Sequence, residues 1–456
     1  MGVTPARRIA FEVLRRVEAE GAYASDELHA ELGSGVKPAD AALATELAMG
    51  VLRWRRLLDF LLERLQQKPI HRLDLSVAIA LRMGAYQLRF LDKIPARAAV
   101  NESVDLVKRA RKSSAAALVN AVMRRMATEP RSPAEQILPG GISAAERLGI
   151  LHSHPTWMVE RWLVRFGEAE TIALLEANNR PPRLSCAVQD ADQREAVLRS
   201  LAQSGLRSEP GALLKSAFAV SGGSPVRTPA FRRGQISVQD EASQAVPLLL
   251  DVRAGDRVLD LCAAPGGKSA ALMRAAGAEG MVIAADRHAH RLRSTQAQFK
   301  RLGLRYAHLV GLDAEQPLPF RGDFDRILVD APCSGTGTLA RHPEIRWRLG
   351  PDQLMEFHGL QSRMLETALA HLARGGRLVY STCSIEPEEN EDVVAGVLRR
   401  TTAVRGVPAS ELAKTLRPHL VSGVDVAALI ARDGYFRTSP PAHHTDGFFA
   451  AALESH

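Results

Sequence analysis

The chain has 456 residues, of which 46% are hydrophobic and 24% are charged. These fractions indicate a folded protein with sizeable cores, and the length predicts two or three domains. The 59 Lys and Arg residues outnumber the 51 Asp and Glu residues, which gives a net charge of +8 and a pI of about 9.6. This balance is typical of nucleic-acid-binding proteins, although a generally basic soluble protein would share it. Residues 1–130 hold 21 basic and 15 acidic residues, so they carry +6 of the +8.

Several targeting signals are missing from the sequence. Arg7, Arg8 and Glu12 interrupt the first 14 residues, so we expect no signal peptide. No run of about 18 apolar residues predicts a membrane span. Ala6 stands where a myristoylation signal has Ser or Thr. We therefore expect a cytoplasmic protein with no membrane partner.

The cysteines are too far apart for a zinc cluster. They are Cys186, Cys262, Cys333 and Cys383. The gaps of 76, 71 and 50 residues lack CxxC spacing and argue against a disulfide framework. We expect no metal, and cysteines that are either buried as small hydrophobes or reactive as thiols.

Residues 1–130 are predicted to form a helical bundle. Ile9, Val13 and Val17 recur every four residues, which is a helical period. Longer helical patterns cover Ala41–Leu65, Val77–Leu91 and Ala98–Met126. Residues 131–150 are rich in Pro and Gly and are predicted to be a linker.

Residues 151–236 are predicted to be a small α+β, RRM-like segment. A helix over Trp157–Asn178 should stop at Pro181-Pro182, because proline interrupts the helical hydrogen bonds. Short strand-like runs then alternate with one helix over Asp192–Gln203.

Residues 237–456 are predicted to be an α/β, Rossmann-like domain with a mostly parallel sheet. After a helix over Glu241–Leu250, apolar runs alternate with helical ones, a pattern typical of a doubly wound sheet. The predicted strands are Arg257–Leu261, Gly280–Ala285, Tyr306–Val310, Arg326–Val329 and Arg377–Ser381. Ligands of such sheets bind at the carboxyl ends of the strands.

The first three strands end in residues suited to a nucleotide-like ligand. Gly266 and Gly267 would let backbone N–H groups approach an anionic group at a helix N-terminus, and Lys268 adds a charge there. The first glycine of a P-loop is missing. Asp286, after the second strand, could bind ribose hydroxyls, and Asp313, after the third, could accept an adenine amine.

A glycine-rich run after the fourth strand is rejected as a dinucleotide fingerprint. Residues 335–340 (GTGTLA) formally match GxGxx[GA], but Arg341, His342 and Pro343 follow instead of a clear helix start.

Two cysteines follow directly after predicted strands. The fourth strand leads into Cys333 and the fifth into Cys383. Since these strands are usually neighbours in a doubly wound sheet, both thiols should face one cleft. A lone cysteine usually packs as a small hydrophobe, but these positions favour reactivity.

These motifs make the chain similar to the RsmB/Sun (Fmu) branch of the RsmB/NOP family of RNA 5-methylcytosine methyltransferases. The catalytic-domain motifs are SVQDEASQ (237–244), CAAPGGKS (262–269), LVDAPCSGTGTLARHPEIRWR (328–348), YSTCS (380–384) and TDGFFAAAL (445–453). A NusB-like N-terminal domain is matched by ELAMGVLRWRR (46–56), LRMGAYQLRFLDKIPARAAVNESVDLVK (81–108) and LVNAVMRR (118–125).

The resemblance implies a role for each matched residue. The Thr-Cys cysteine of the family attacks C6 of cytosine and the Pro-Cys cysteine assists product release, which implies these roles for Cys383 and Cys333; spacing alone does not choose between them. Asp330 is implied as a third catalytic residue. Contacts with the co-substrate S-adenosylmethionine (SAM) are implied for Cys262, Ala263, Ala264, Pro265, Gly266, Gly267, Lys268, Asp286, Asp313 and Asp330.

Such chemistry needs a thiol because cytosine C5 is a poor nucleophile. Addition of a thiolate to C6 makes C5 enamine-like, and Asp330 could assist by protonating or hydrogen-bonding N3. The reacting form is the thiolate, so a cationic surrounding should lower the thiol pKa; Lys268, Arg341 and Arg346 are candidates.

The branch implies one cytidine of 16S rRNA as the target, cytosine 967, with the RNA methylated before full subunit assembly. From the single chain alone we expect a monomer. The NusB-like and α+β parts would hold the RNA through phosphates, and the target base must leave its stack. Transfer RNA is an alternative substrate that the NusB-like head disfavours. A non-catalytic RNA-binding module is another alternative, which the intact Cys333 and Cys383 disfavour. His342 is expected to be a structural loop residue.

Overall fold

The computed structural model describes residues 2–33, 35–129, 133–304 and 307–456, and the chain forms two compact units. The helical unit contains Met1–Pro181 and Leu339–Leu349. The sheet unit contains Pro182–Thr338 and Gly350–His456. The predicted domain boundaries at 130, 150 and 236 do not coincide with this division and stay predictions.

The helical unit confirms the predicted all-α character of the N-terminal region. Its first helices are α1 (Pro5–Glu20), α2 (Ala24–Glu31), α3 (Pro38–Gln66), α4 (Leu75–Phe90), α5 (Ala96–Arg109), α6 (Ala116–Thr128), α7 (Ala144–Leu151), α8 (Thr156–Phe166) and α9 (Glu168–Asn179). Helix α1 buries Ile9, Val13 and Val17 in one core with residues of α3 and α4, as the four-residue period predicts.

Two helices predicted as continuous are each divided in the structure. Ala98–Met126 becomes α5 and α6, with Arg111 between them at a φ of 59°. Trp157–Asn178 becomes α8 and α9, with Gly167 between them at a φ of 78°. A left-handed residue ends a right-handed helix, and the apolar period continues across such breaks, so the period alone did not reveal them.

The predicted linker is largely ordered helix. Among its described residues, 133–150, a 3-10 turn covers Ala134–Ile137 and α7 begins at Ala144. Ala134 and Ile150 are buried against Leu57 and Leu61 of α3. The prolines and glycines of this range mark short turns between packed elements.

The sheet unit begins with a small antiparallel sheet. Its elements are β1 (Leu184–Val188), α10 (Arg194–Gln203), β2 (Arg207–Pro210), β3 (Ala217–Ser221), α11 (Pro229–Arg232) and β4 (Ile236–Val238), and the strand order is β2-β3-β1-β4. Cys186 lies fully buried in this core, where burial raises the pKa of its thiol to about 12. Cys186 is therefore an apolar core residue, one of the two alternatives left open for the cysteines.

The large sheet lies after this segment. Its strands are β5 (Arg257–Asp260), β6 (Met281–Asp286), β7 (Ala307–Gly311), β8 (Phe324–Asp330), β9 (Leu372–Thr382), β10 (Val404–Gly406), β11 (Tyr435–Arg437) and β12 (Phe449–Ser455). The remaining helices are α12 (Glu241–Ala245), α13 (Gly267–Ala276), α14 (Ala289–Arg301), α15 (Ile345–Arg348), α16 (Pro351–Leu369), α17 (Glu391–Leu398), α18 (Ala409–Leu416), α19 (Val426–Leu429) and α20 (Pro440–His443). Of these, α15 belongs to the helical unit.

The predicted strands correspond to β5–β9, which are parallel neighbours in the order β9-β8-β5-β6-β7. Tyr306, predicted as the start of the third strand, lies outside the described residues. Strands β10, β11 and β12 were not predicted; β12 pairs antiparallel with β9 and extends the sheet. The predicted helix Glu241–Leu250 is α12 followed by a 3-10 turn over Val246–Leu250.

Both faces of the large sheet are covered. Leu328 and Val379 lie in one buried cluster, whereas Val329 and Tyr380 lie in the cluster on the opposite face. Alternate residues of a strand point to opposite faces, so strands buried on both faces need continuous apolar runs. This explains why the central strands were easy to predict.

A short stretch of the long 328–348 motif packs in the helical unit. The fully buried Arg346 of α15 donates to the carbonyl oxygens of Ser153 and Asn178 and to Oδ1 of Asn179, at 2.9–3.1 Å. Trp347 Nε1 donates to the carbonyl oxygen of Leu52 at 2.7 Å. These bonds make residues 339–349 a structural part of the helical unit.

Within the described ranges, no helix is long and apolar enough to cross a membrane. The same ranges contain no group of three or more His, Cys, Asp or Glu residues placed to hold a metal ion.

Candidate active site

The two cysteines at the ends of neighbouring strands lie together. Strands β8 and β9 are parallel, and Asp330 pairs with Ser381 in the register. The loops that follow bring the Sγ atoms of Cys333 and Cys383 to 3.3 Å from each other. The expectation that the two strand ends bring both thiols together is confirmed, while the cleft and the separate roles of the thiols stay predictions.

Gly337 lets the two cysteine loops approach closely. Its N–H donates to the carbonyl oxygen of Cys383 at 2.9 Å, and its carbonyl oxygen accepts from Gly447 N at 2.8 Å. A Cβ added at Gly337 would lie 2.1 Å from the Gly447 oxygen, so a larger residue cannot fit without a backbone shift. The run 335–340 forms a 3-10 turn over Thr336–Thr338, which agrees with its rejection as a dinucleotide fingerprint.

Cys333 is held as a neutral thiol. Its hydrogen bond with Cys383 raises its pKa well above the ordinary value, and burial and the negative charge of Glu389 act in the same direction.

Lys268 interacts with groups at the ends of β8 and β9. Its Nζ lies 2.7 Å from Oδ2 of Asp330, and Ser381 Oγ donates to Oδ1 of Asp330 at 2.8 Å. Burial acts to lower the pKa of Lys268, but the charge and hydrogen bond of Asp330 outweigh it and raise the pKa, with a further contribution from Cys383. Lys268, assigned from the sequence to the cofactor loop, is thus a cation beside both Asp330 and Cys383.

A buried carboxylate connects the loops that carry the thiols. Glu389 accepts the N–H of Ser334 at 2.7 Å and the hydroxyl groups of Ser334 and Ser384. Each serine directly follows one of the two cysteines. Sequence reasoning missed Glu389, because a buried acid in the run 386–391 looks like any solvated acidic segment.

The first strand leads into a glycine turn and a helix, as predicted. Gly266 has a φ of 100°, and α13 begins at Gly267, so the first N–H groups of α13 have no partner within the helix. A Cβ on Gly266 would lie 2.9 Å from Thr295 Cγ2. The turn is therefore tight, and it fits the backbone capture of a ligand carboxylate or other anion at a helix N-terminus.

Two carboxylates lie at the ends of the neighbouring strands β6 and β7. The buried Asp286 accepts the N–H groups of His288 and Ala264 at 2.9 and 3.3 Å, which ties the second strand end to the glycine turn. Asp313 accepts the N–H of Glu315 at 3.1 Å and is partly exposed. Since β5, β6 and β7 are adjacent, these groups share one edge of the sheet.

Other predicted contributors are placed differently. Burial raises the pKa of Cys262 well above its ordinary value, and nearby carboxylates add to the effect, so its thiol is neutral. Arg346, proposed as a cation that lowers a thiol pKa, is instead bonded to carbonyl groups of the helical unit, so that proposal is wrong. The role of Arg341 stays a prediction. His342 lies 3.8 Å from Glu344 in the same structural segment.

Comparisons with known proteins agree with this architecture. Residues 247–454 match the family profile described as 16S rRNA methyltransferase RsmB/F, residues 4–128 match the NusB family, and residues 154–227 match the RsmF/B-like ferredoxin-like domain. The predicted fold class, an all-α NusB-like part, a small α+β part and a mostly parallel methyltransferase sheet, is thereby confirmed.

Relatives match over nearly the full length. A Pseudomonas putida protein named ribosomal RNA small subunit methyltransferase B is 35% identical, with 98% of each chain covered. A Synechocystis protein named as a probable methyltransferase B is 33% identical over 98% of this chain and 99% of that protein. A solved structure called PH0851 is 25% identical with a TM-score of 0.82 over both whole chains. A methyltransferase homologue from Pyrococcus horikoshii is 29% identical, with a TM-score of 0.58, 69% of this chain and 100% of that chain covered.

The fold and these matches define a multidomain methyltransferase of the SAM-dependent class. The chain belongs to the RsmB/F family of 16S rRNA methyltransferases, whose activity is SAM-dependent methylation of ribosomal RNA.

Proposed function

We propose that this chain transfers a methyl group from SAM to C5 of one cytidine in 16S rRNA, cytosine 967, through a transient bond between Cys383 Sγ and C6. The observation that carries the proposal is the pair of thiols, 3.3 Å apart, at the ends of two parallel neighbouring strands. Asp330 ends strand β8, and the ammonium group of Lys268, from the first turn of α13, lies 2.7 Å from its carboxylate.

We assign the two cysteines different roles in the reaction. Cys383 adds as a thiolate to C6, which makes C5 electron-rich enough to accept a methyl group. The family resemblance assigns the attack to Cys383 and the assisting role to Cys333, and the raised pKa of Cys333, caused by its hydrogen bond with Cys383, by burial and by Glu389, agrees with a thiol that is not the nucleophile. After methyl transfer a base removes the C5 proton, the bond between Cys383 Sγ and C6 breaks, and Cys383 leaves as a thiolate; Cys333 assists this release.

Asp330 and Lys268 provide the polar contacts that the addition needs. Negative charge develops on the pyrimidine ring as the thiolate adds, and hydrogen bonding or proton donation at N3 stabilises it. We assign this role to Asp330, and the ammonium group of Lys268, 2.7 Å from the Asp330 carboxylate, would supply the proton.

The residues that would hold SAM are the loop 262–268, Asp286 and Asp313. SAM supplies a methyl group on a positively charged sulfur. The N-terminus of α13 suits its carboxylate, Asp286 suits the ribose hydroxyls, and Asp313 suits the adenine amine. The tight turn at Gly266 supports this assignment.

The helical and small-sheet regions would bind the RNA, mainly at phosphates. Residues 1–130 carry +6 of the net charge, which supports a phosphate-binding role and predicts that affinity falls steeply with salt. We further propose that a monomer acts before the small subunit is fully assembled.

The test is incubation of the purified protein with methyl-labelled SAM and protein-free 16S rRNA, with tRNA and a Cys383→Ala variant in parallel. We expect label at one rRNA cytidine as 5-methylcytosine and none with the variant. Label on tRNA alone would contradict the substrate, and label on no RNA would favour the binding-module alternative.

A further inference from the structure

Glu389 is an acidic side chain buried inside the sheet unit. It ends the 3-10 turn Pro387–Glu389 before α17 and has no solvent exposure. Burial raises the pKa of its carboxyl group, while hydrogen bonds from Ser334 and Ser384 oppose the shift. Burying a carboxylate is costly, and an apolar side chain of similar volume usually packs at least as well.

Two of the residues that donate hydrogen bonds to the Glu389 carboxylate, Ser334 and Ser384, directly follow the two cysteines. Ser334 donates through both its N–H and its hydroxyl, and Ser384 donates through its hydroxyl. Gln361 Nε2 donates to Glu389 Oε1 at 3.1 Å and to the carbonyl oxygen of Pro332 at 3.0 Å. The residues on both sides of Cys333 are therefore connected to Glu389. Ser334 donates to Glu389 directly, and Pro332 accepts from the same Gln361 amide that donates to Glu389.

The same carboxylate fixes the second thiol. Ser384 Oγ lies 3.1 Å from Ser334 Oγ, and both contact Oε2 of Glu389. The hydroxyl of Tyr380 donates to the carbonyl oxygen of Glu389 at 2.6 Å, which anchors the acid to strand β9. A single oxygen of Glu389 is thus the common acceptor of the residues that follow Cys333 and Cys383.

We propose that Glu389 is a positioning residue that sets the separation of the Cys333 and Cys383 thiols. This inference rests on the proposed function for its catalytic meaning, but the thiol geometry is independent of it. The amide of Gln has one acceptor oxygen where the carboxylate has two, and its NH₂ group would face hydroxyl donors. Glu389→Gln should therefore loosen one or both loops.

The first experiment measures thiol proximity without methyl transfer. Diamide takes up two hydrogen atoms as two thiols join in a disulfide, and the rate of forming the Cys333–Cys383 disulfide can be followed by peptide mass analysis. We expect this rate to fall about tenfold in Glu389→Gln, since a hydrogen bond to a charged group is lost at each loop. The matched control is Glu391→Gln, because Glu391 lies two residues further on and pairs with Arg437 at 2.7 Å; its rate should stay at the wild-type value.

The second experiment separates positioning from folding. With 16S rRNA and SAM, kcat of Glu389→Gln should fall about 100-fold while both KM values stay within about twofold, because small misplacements of reacting groups mainly affect kcat. If Glu389→Gln does not fold, Ser334→Ala, which keeps the backbone N–H bond, replaces it and should show smaller losses in the same direction.

Wild-type disulfide rate and wild-type kcat in a folded Glu389→Gln protein would overturn the proposal. A wild-type protein that methylates no RNA would contradict the proposed function, whereas the diamide result would still decide the role of Glu389.

Discussion

The two halves of the motif at 328–348 serve different parts of the molecule. Residues 328–338 lie in the sheet unit and carry Asp330, Cys333 and Gly337, whereas residues 339–348 lie in the helical unit. The first half places reactive groups, and the second half donates hydrogen bonds to backbone carbonyls. A continuous motif can therefore combine catalytic residues with structural ones, and matching the motif does not tell which is which.

The helical unit and the sheet unit also differ in the buried charges described above. The buried Arg346 donates to carbonyl oxygens from two segments of the helical unit, and it stays a cation although burial lowers its pKa to about 9. The sheet unit instead buries the acids Asp260 and Glu389, whose pKa values burial raises. We expect substitutions in the second half to change stability, and substitutions at the cysteines to change activity.

The largest expected effect follows Cys383→Ala. Loss of the proposed nucleophile should lower the methylation rate by at least about 10⁴-fold, since the covalent bond to C6 can no longer form at this position. The free energy of unfolding should change by less than about 1 kcal/mol, because the side chain is only partly buried. Cys186→Ala is the control and should keep the wild-type reaction rate. Equal rate losses in both variants would contradict the assignment of Cys383 as the nucleophile and Cys186 as an apolar core residue.

The next effect is on stability, with Arg346→Met. The change leaves the oxygen atoms of Ser153, Asn178 and Asn179 without their donor, at a cost of about 3–5 kcal/mol. Urea unfolding monitored by circular dichroism measures it. Arg348→Met, at an exposed position of the same helix, should cost about 1 kcal/mol or less. Comparable losses in both variants would show that burial is not the reason for the effect.

Asp260→Asn should change the pH dependence of stability. Burial raises the pKa of Asp260 from 3.8 to about 7, although the hydroxyl of Ser269 donates to it. The folded protein thus keeps a proton that the unfolded chain releases, and the stability this contributes is present below pH 3.8 and lost as pH rises to about 7. Wild-type stability should fall relative to the variant by roughly 4 kcal/mol over this window. Urea unfolding of both proteins at several pH values measures the difference, and parallel pH curves would contradict the buried proton.

The smallest effect is expected for Trp347→Phe. The variant keeps the ring but loses the bond from Nε1 to the Leu52 carbonyl oxygen, which should cost about 1–2 kcal/mol. Thermal unfolding measures the change. No loss of stability would mean that this hydrogen bond does not support the placement of α15 in the helical unit.

Sequence reasoning predicted the parts of the site that depend on local pattern. Cys333 and Cys383 could be paired because continuous apolar runs reveal buried parallel strands, and the carboxyl ends of neighbouring strands meet. The glycine turn at Gly266 was predicted because the two glycines directly follow an apolar strand and precede a helical pattern. The separate roles of Cys333 and Cys383 came only from the family resemblance.

The rest depended on tertiary contacts that no local pattern encodes. Glu389 and Arg346 are charged residues on short helical segments, and composition alone suggests that both are exposed. The left-handed residues Arg111 and Gly167 divide helices whose apolar period runs on. Strand β12 was missed because it pairs antiparallel with β9 and so does not follow the alternating strand and helix pattern of the parallel strands.

The most direct test of the account is to find which cysteine bonds to the RNA. A Cys333→Ala protein is incubated with 16S rRNA and SAM, digested with protease and nuclease, and examined by mass spectrometry for a peptide that carries a methylated cytidine nucleotide. We expect the nucleotide on the peptide that contains Cys383, because the variant lacks the thiol that assists release. The roles would be reversed if the Cys333→Ala protein gave no adduct on Cys383 while a parallel Cys383→Ala protein gave a nucleotide adduct on Cys333.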